Sequence, residues 1–243
     1  MTGPKADIIA QLQKDILPLQ GYKPLQNMQA DPLGLEEINA SFPQKTFPLA
    51  AIHEFVCEGK EDLAAAEGFI SGILSSLNRN GGASMWIGIS QHVFPPALKS
   101  FGLDPERILF VQMKREKDVL WAMEEALQCN GINAVIAELK DLSFNTSRKF
   151  QLAVEKSGVT GFIIRDHPRN LNTTASISRW KITPLSSSSM DNLPGVGFPR
   201  WQVDLNKIRN GKPGSWHVEW AYGKFNLVGI AEKQLYIPQR KTG

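Results

Sequence analysis

Between Leu49 and Arg165, short apolar runs alternate with amphipathic stretches, and this alternation restricts the fold more than any other feature of the chain. The runs at 50–57 (AAIHEFVC), 84–90 (SMWIGIS), 107–113 (RILFVQM), 133–138 (NAVIAE) and 159–165 (VTGFIIR) read as strands. The stretches 61–77, 95–102, 115–129 and 143–157 read as helices. Ile70, Ile73, Leu74 and Leu77 mark one face of the first helix, and Val119, Leu120, Met123 and Leu127 mark one face of the third. Apolar strands in alternation with such helices imply an α/β fold with a parallel central sheet covered on both faces. Right-handed crossovers leave few topologies for it.

The flanks have a different style. Residues 6–20 (ADIIAQLQKDILPLQ) space Ile8, Ile9, Leu12, Ile16 and Leu19 as in a helix, which Pro18 should end or bend. Residues 21–49 are weakly patterned and read as a linker, with one short helix around 35–40. After Arg165, the segments 175–184, 200–209, 215–222 and 225–230 alternate polar and apolar residues between the turns Asn210–Gly214 and Gly223-Lys224. They read as C-terminal antiparallel hairpins added to the sheet edge. The stretch 185–199 (LSSSSMDNLPGVGFP) reads as a polar loop. The expected organisation is an N-terminal helix and linker over 1–40 and an α/β domain over 41–243, of which 165–243 is a basic extension.

Charge is distributed unevenly. From Arg165 onward there are 12 Lys/Arg against 5 Asp/Glu, while the first 164 residues hold 15 against 19. A basic C-terminal third suits a nucleic acid or an acidic partner, and equally a solvated surface. The N-terminus has no apolar signal segment, and no stretch reaches the ~18 apolar residues of a membrane span. Cys57 and Cys129 are too few and too distant for a disulfide framework or a cysteine metal site. His53, His92, His167 and His217 lack metal-ligand spacing. A cytoplasmic protein without a metal or cofactor is expected.

Residues 52–74 place Glu58-Gly59-Lys60-Glu61 between the first strand and the first helix, where a phosphate-binding loop would sit. Such a loop is G-x-x-x-x-G-K-[ST], with glycines to wrap phosphates, a lysine for the terminal phosphates and a hydroxyl for magnesium. Here Gly59-Lys60 matches the middle only. The first glycine position is Glu54, the hydroxyl position is Glu61, and Glu58, Glu61 and Asp62 would repel a triphosphate. A strand joined to a helix by a charged turn is the stronger expectation.

The segment KTFPLAAIHEF is similar to the strand that precedes the ATP loop in the RecA recombinase family, with Pro48, Ile52 and Glu54 matching and Ala50 departing. Residues 81–112, GINAVIAELKDLS and RKFQLAVEKSGVTGFII resemble the succeeding strands and helices of that family, with Glu138 near its magnesium-associated acid. Ser90-Gln91 stands where the family has its catalytic glutamate. The resemblance therefore implies a RecA-like P-loop NTPase fold with a degenerate nucleotide site, and no enzyme activity. Within that superfamily the chain most resembles the ImuA family. Residues 201–220 (WQVDLNKIRNGKPGSWHVEW) carry this through Trp201, Arg209, Gly211, Pro213, Gly214, Ser215 and Trp216. That resemblance implies a non-catalytic accessory role in damage-inducible translesion synthesis. It also implies as partners an ImuB-like Y-family polymerase homologue, an error-prone polymerase, and further DNA and RecA. A SulA-like division inhibitor binding FtsZ, or a weak ATPase or recombinase, are the alternatives.

Cations lie beside indoles in the hairpins, so Arg179, Trp180, Lys181, Arg200, Arg209, Lys212 and Trp216 are the candidate DNA- or partner-binding residues. Trp201 is expected to be partly core, and Arg209 and Lys212 to be exposed beside their turn. Arg165-Asp166-His167 ends the last parallel strand, at the sheet end that faces the ligand crevice in open α/β folds. Glu138 and Asp141 are expected to be structural or solvated, and Cys57 a small buried residue.

Overall fold

The computed structural model describes residues 33–79, 81–90, 93–187 and 197–229. The helix expected over 6–20, Gln91, His92 and most of the polar loop at 185–199 lie outside the described residues. The elements are α1 (Glu36–Asn39), β1 (Ile52–Cys57), α2 (Lys60–Leu77), β2 (Ala83–Gly88), two 3₁₀ turns (Pro95–Phe101 and Pro105–Arg107), β3 (Ile108–Gln112), α3 (Glu116–Ala126), β4 (Ile132–Leu139), α4 (Phe144–Ser157) and β5 (Thr160–Asp166). Then follow β6 (Ser178–Leu185), β7 (Arg200–Ile208), β8 (Gly214–Ala221) and β9 (Lys224–Leu227).

Among the described residues, nine strands form one sheet in the order β3-β2-β4-β5-β1-β6-β7-β8-β9. The first five are parallel, as the alternation predicts. The extension is added at the β1 edge of the sheet, as expected, but its first strand is parallel. β6 pairs with β1 in parallel, setting His53 opposite Ser178, Glu54 opposite Arg179 and Phe55 opposite Trp180. Only β6 to β9 are antiparallel to one another. The β8–β9 hairpin closes through Tyr222 and Gly223, both with positive φ, the backbone of a two-residue turn matched to strand twist.

Side chains of β1 alternate between two cores. Phe55 and Cys57 join Phe162, Ile164 and Ile136 on the face covered by α2, whereas Ile52 joins Ile163, Val135 and Ala137 under α3 and α4. Ser143 caps α4 by accepting the Thr146 N–H at 3.0 Å, and Gly158 ends it in the left-handed region at φ 84°. Residues read as linker are part of the first core, since Leu33, Leu35, Ile38, Phe42 and Phe47 are all buried there. Their spacing matches neither a long helix nor a strand, so the sequence pattern conceals them.

Helix α2 carries Gly68 and Gly72, each of which lowers intrinsic helix stability by roughly 1 kcal/mol relative to alanine. Packing explains both. A Cβ at Gly68 would stand 3.1 Å from the rings of Phe101 and Trp201, and one at Gly72 would stand 2.5 Å from Phe225 and 2.9 Å from Trp220. The two glycines form a shallow trench into which the aromatic face of the extension settles.

Candidate functional site

Only Glu58 and Gly59 connect β1 to α2. Gly59 is extended (φ −149°, ψ 170°), and α2 starts directly after it. The α2 N-terminus is the positive end of the helix dipole, the place for an anion. Glu61 and Asp62 already occupy its first turn. Asp62 Oδ2 accepts the Glu58 N–H at 3.1 Å, so a carboxylate of the chain takes a backbone donor next to the place a phosphate would need. The Glu58 carboxylate turns away to Lys181 Nζ, 2.5 Å off on β6. That hydrogen bond lowers the Glu58 pKa and raises that of Lys181. Lys60 is exposed.

A second acidic place lies at the C-terminal ends of β2 and β4. Gly88 at the end of β2 leaves space for Glu138, whose Oε2 would be 3.0 Å from a Cβ there. Trp86 Nε1–H donates to Glu138 Oε1 at 2.5 Å. The cavity bounded by Trp86, Gly88, Ser90, Phe110 and Glu138 holds about 40 Å³, room for water. Glu67, one face of α2 further on, has a buried Oε1 without a hydrogen-bond partner. Burial, then Glu138 and Asp166, push its carboxyl up to about 8. Burial, followed by Asp62, Asp166, Glu67 and Glu138, also pushes the Cys57 thiol up, opposite to the lowering a bare helix N-terminus would give. His167, with φ 50°, lies beside Asp166 Oδ1, 2.7 Å from its Nδ1, and its N–H donates to Cys57 O. Among the described residues no group of three or more His, Cys, Asp or Glu is arranged to hold a metal ion. A two-residue turn with Glu58, Glu61 and Asp62 around it does not fit a magnesium triphosphate.

A curated relative, Protein ImuA of Caulobacter vibrioides, found in two strains, is 33% identical over 195 residues, covering 75% of this chain and 80% of the relative. The chain belongs to the ImuA family. No protein-family model matches the chain. Among solved structures, a KaiC-like protein from the hyperthermophilic archaeon Pyrococcus horikoshii superposes with a TM-score of 0.55 at 12% identity, covering 84% of this chain and 100% of that one. The RadB recombinase superposes with a TM-score of 0.51 at 10% identity, covering 74% and 91%. The fold of this ImuA-family chain is thus RecA-like, with the antiparallel β6–β9 unit continuing its sheet.

The hairpin residues chosen for binding are mostly committed inside this ImuA-family chain. Trp180 is fully buried among Phe42, Phe47, Phe55 and Phe69, and its Nε1–H donates to Ser178 Oγ at 2.7 Å. Its indole is a core element and is closed to a base. Arg179 turns inward to Glu54 Oε2 at 3.0 Å, Lys181 pairs with Glu58, and Arg200 pairs with Glu219 at 2.6 Å. Arg209, expected exposed, is half-buried and donates to Ala175 O at 2.7 Å. Trp201 is buried, as the sequence suggests in part, while Trp216 is half-buried over Gly214. Lys212 is exposed as expected. Alternation in a hairpin specifies two faces but not which one meets α2. Here the aromatic face does.

Sequence reasoning missed the role of the buried polar network at the β5-β1-β6 junction. Glu54 and Arg165 have fully buried side chains 2.9 Å apart. Glu54 Oε2 also accepts from Thr174 Oγ1 at 2.8 Å, and Arg165 donates further to Lys140 O and Asn170 O. Beside it, His53 is sealed between Phe47 and Phe162. Pro48 O accepts from Nε2–H and Ser178 Oγ lies 2.7 Å from Nδ1. Burial lowers the His53 pKa to about 4. The signal was present: a Glu and an Arg inside apolar runs must be paired if those runs are buried.

Proposed function

We infer that this chain is a non-catalytic, RecA-like accessory protein of damage-inducible translesion DNA synthesis, an adaptor for polymerase partners. Family membership supports the pathway. The observation that carries the non-catalytic part is the two-residue β1–α2 turn, where Asp62 holds the Glu58 N–H and the helix N-terminus already has its negative charge. Adaptor contacts with proteins are favoured over base stacking, because Trp180 and Trp201 are buried and Arg179, Lys181 and Arg200 are paired internally. The partners expected are the ImuB-like Y-family polymerase homologue and an error-prone polymerase.

The test is affinity capture of the tagged protein from DNA-damaged cells, with and without nuclease, together with an ATPase assay. Nuclease-resistant recovery of the polymerase proteins, with no hydrolysis, is the expected result. Recovery of the division protein FtsZ alone, or turnover lost in Lys60→Ala, would overturn the inference.

A further inference from the structure

Helices α3 and α4 cover the second core side by side, and a hollow of about 490 Å³ runs between them, lined by Glu124, Gln128, Lys149, Leu152 and Lys156. Two large apolar side chains are exposed there. Leu152 in the lining is 48% exposed, and Trp121, on the same stripe of α3 as Glu124 and Gln128, is 62% exposed. An indole and a leucine presented on one face are the kind of anchors that an interface buries. The charge around them is divided by helix. α3 carries Glu116, Asp118, Glu124 and Glu125 against Lys117, whereas α4 carries Arg148, Lys149 and Lys156 against Glu155.

We propose that a second copy of this chain docks on this face, about a two-fold axis that runs along the hollow. Both helices join parallel strands and cover the same face of the sheet, so they point the same way. Rotation about an axis parallel to them lays α3 of each copy on α4 of the other, with heights along the helices unchanged. Their C-terminal ends lie together, since Gln128 and Ser157 line one hollow. Counted back from Ala126 and Ser157 at ~1.5 Å per residue, Trp121 and Leu152 both stand at ~7.5 Å, Glu124 and Lys156 at ~3 and ~1.5 Å, and Asp118 and Lys149 both at ~12 Å. Trp121 of one copy therefore meets Leu152 of the other. A Glu124–Lys156 pair flanks that contact on one side. An Asp118–Lys149 pair flanks it on the other, beside the Arg115 that Asp118 already holds at 2.8 Å. Symmetry makes every contact twice. This match of sign and height selects a second copy, and α3 laid on α3 would oppose carboxylates instead. The inference is independent of the proposed polymerase partners.

Analytical ultracentrifugation of the full-length protein tests this. A particle of twice 27.0 kDa is expected as the concentration rises through the micromolar range. Trp121→Glu should raise the dissociation constant by at least roughly tenfold, as for loss of a central aromatic anchor. Glu124→Lys and Lys156→Glu should each weaken the dimer comparably, because either one sets like charges opposite each other twice. Mixed in equal amounts, these two single variants should recover near wild-type affinity in particles that hold one of each, since both pairs are then of opposite sign. A repair within one chain could not give that recovery. A monomer at every concentration, a dimer indifferent to all three substitutions, or a mixture no tighter than its components would each overturn the proposal.

Discussion

Replacing Glu67 by Gln should make the protein more stable, by an amount that grows with pH. The carboxyl is held at about 8 against an ordinary value of 4.5 by burial, then by Glu138 and Asp166. Between those values the folded state keeps a proton that the unfolded chain releases, so folding loses stability as pH rises through that window. At 1.36 kcal/mol per pH unit, the penalty is about 1 kcal/mol at pH 5, about 3 at pH 7 and about 5 at pH 9. Gln carries no charge in any of these conditions, and its amide can donate to the neighbouring carboxylates that Glu67 repels. Urea unfolding of both proteins at the three pH values measures the difference, with the slope against denaturant unchanged. A stability difference that is flat with pH, or a less stable variant at pH 9, would refute the claim that Glu67 is a buried, uncompensated acid.

Other expectations concern the interior. His53, neutral at about 4 and above, should cause stability to fall as pH drops from 6.5 toward 4, because the unfolded chain takes up the proton first; thermal melts across that range should show a loss of roughly 3 kcal/mol that His53→Asn abolishes. Gly72→Ala places a Cβ 2.5 Å from Phe225 and should lower stability by about 1–3 kcal/mol, whereas Gly131→Ala, with open space around it, should not; chemical denaturation distinguishes them. Arg165→Met leaves Glu54 buried without its main partner and should cost about 3–5 kcal/mol, partly restored by the second change Glu54→Gln, as a double-mutant cycle would report.

The β–α alternation from Ile52 to Asp166 was legible because both-face burial removes polar residues from the strands, leaving apolar runs such as Ala134–Ala137. The charged turn between β1 and α2 was legible for a different reason: Glu58, Glu61 and Asp62 state their charge wherever the backbone runs. What could not be read was neighbourhood. Nothing in ASISRWKITP announces that it lies parallel to β1, and so the fates of Arg179 and Trp180 stayed hidden. The tie of Glu58 to Lys181 spans 123 residues, and the unpartnered Glu67 follows from the approach of β4 and β5, neither of which a local pattern records.

The position of β1 has a consequence for synthesis. Its two neighbours in the sheet are β5 and β6, so His53 meets Phe162 and Ser178 only after more than a hundred further residues have been made. During elongation the first strand waits with both edges open, and the α2 trench waits longer still for Trp220 and Phe225. Such distant closures slow folding and prolong the exposure of adhesive edges. A ribosome stalled before residue 178 would release a chain with the middle of its sheet unguarded, so for this protein the last quarter of translation is the moment at which the centre of the molecule becomes safe.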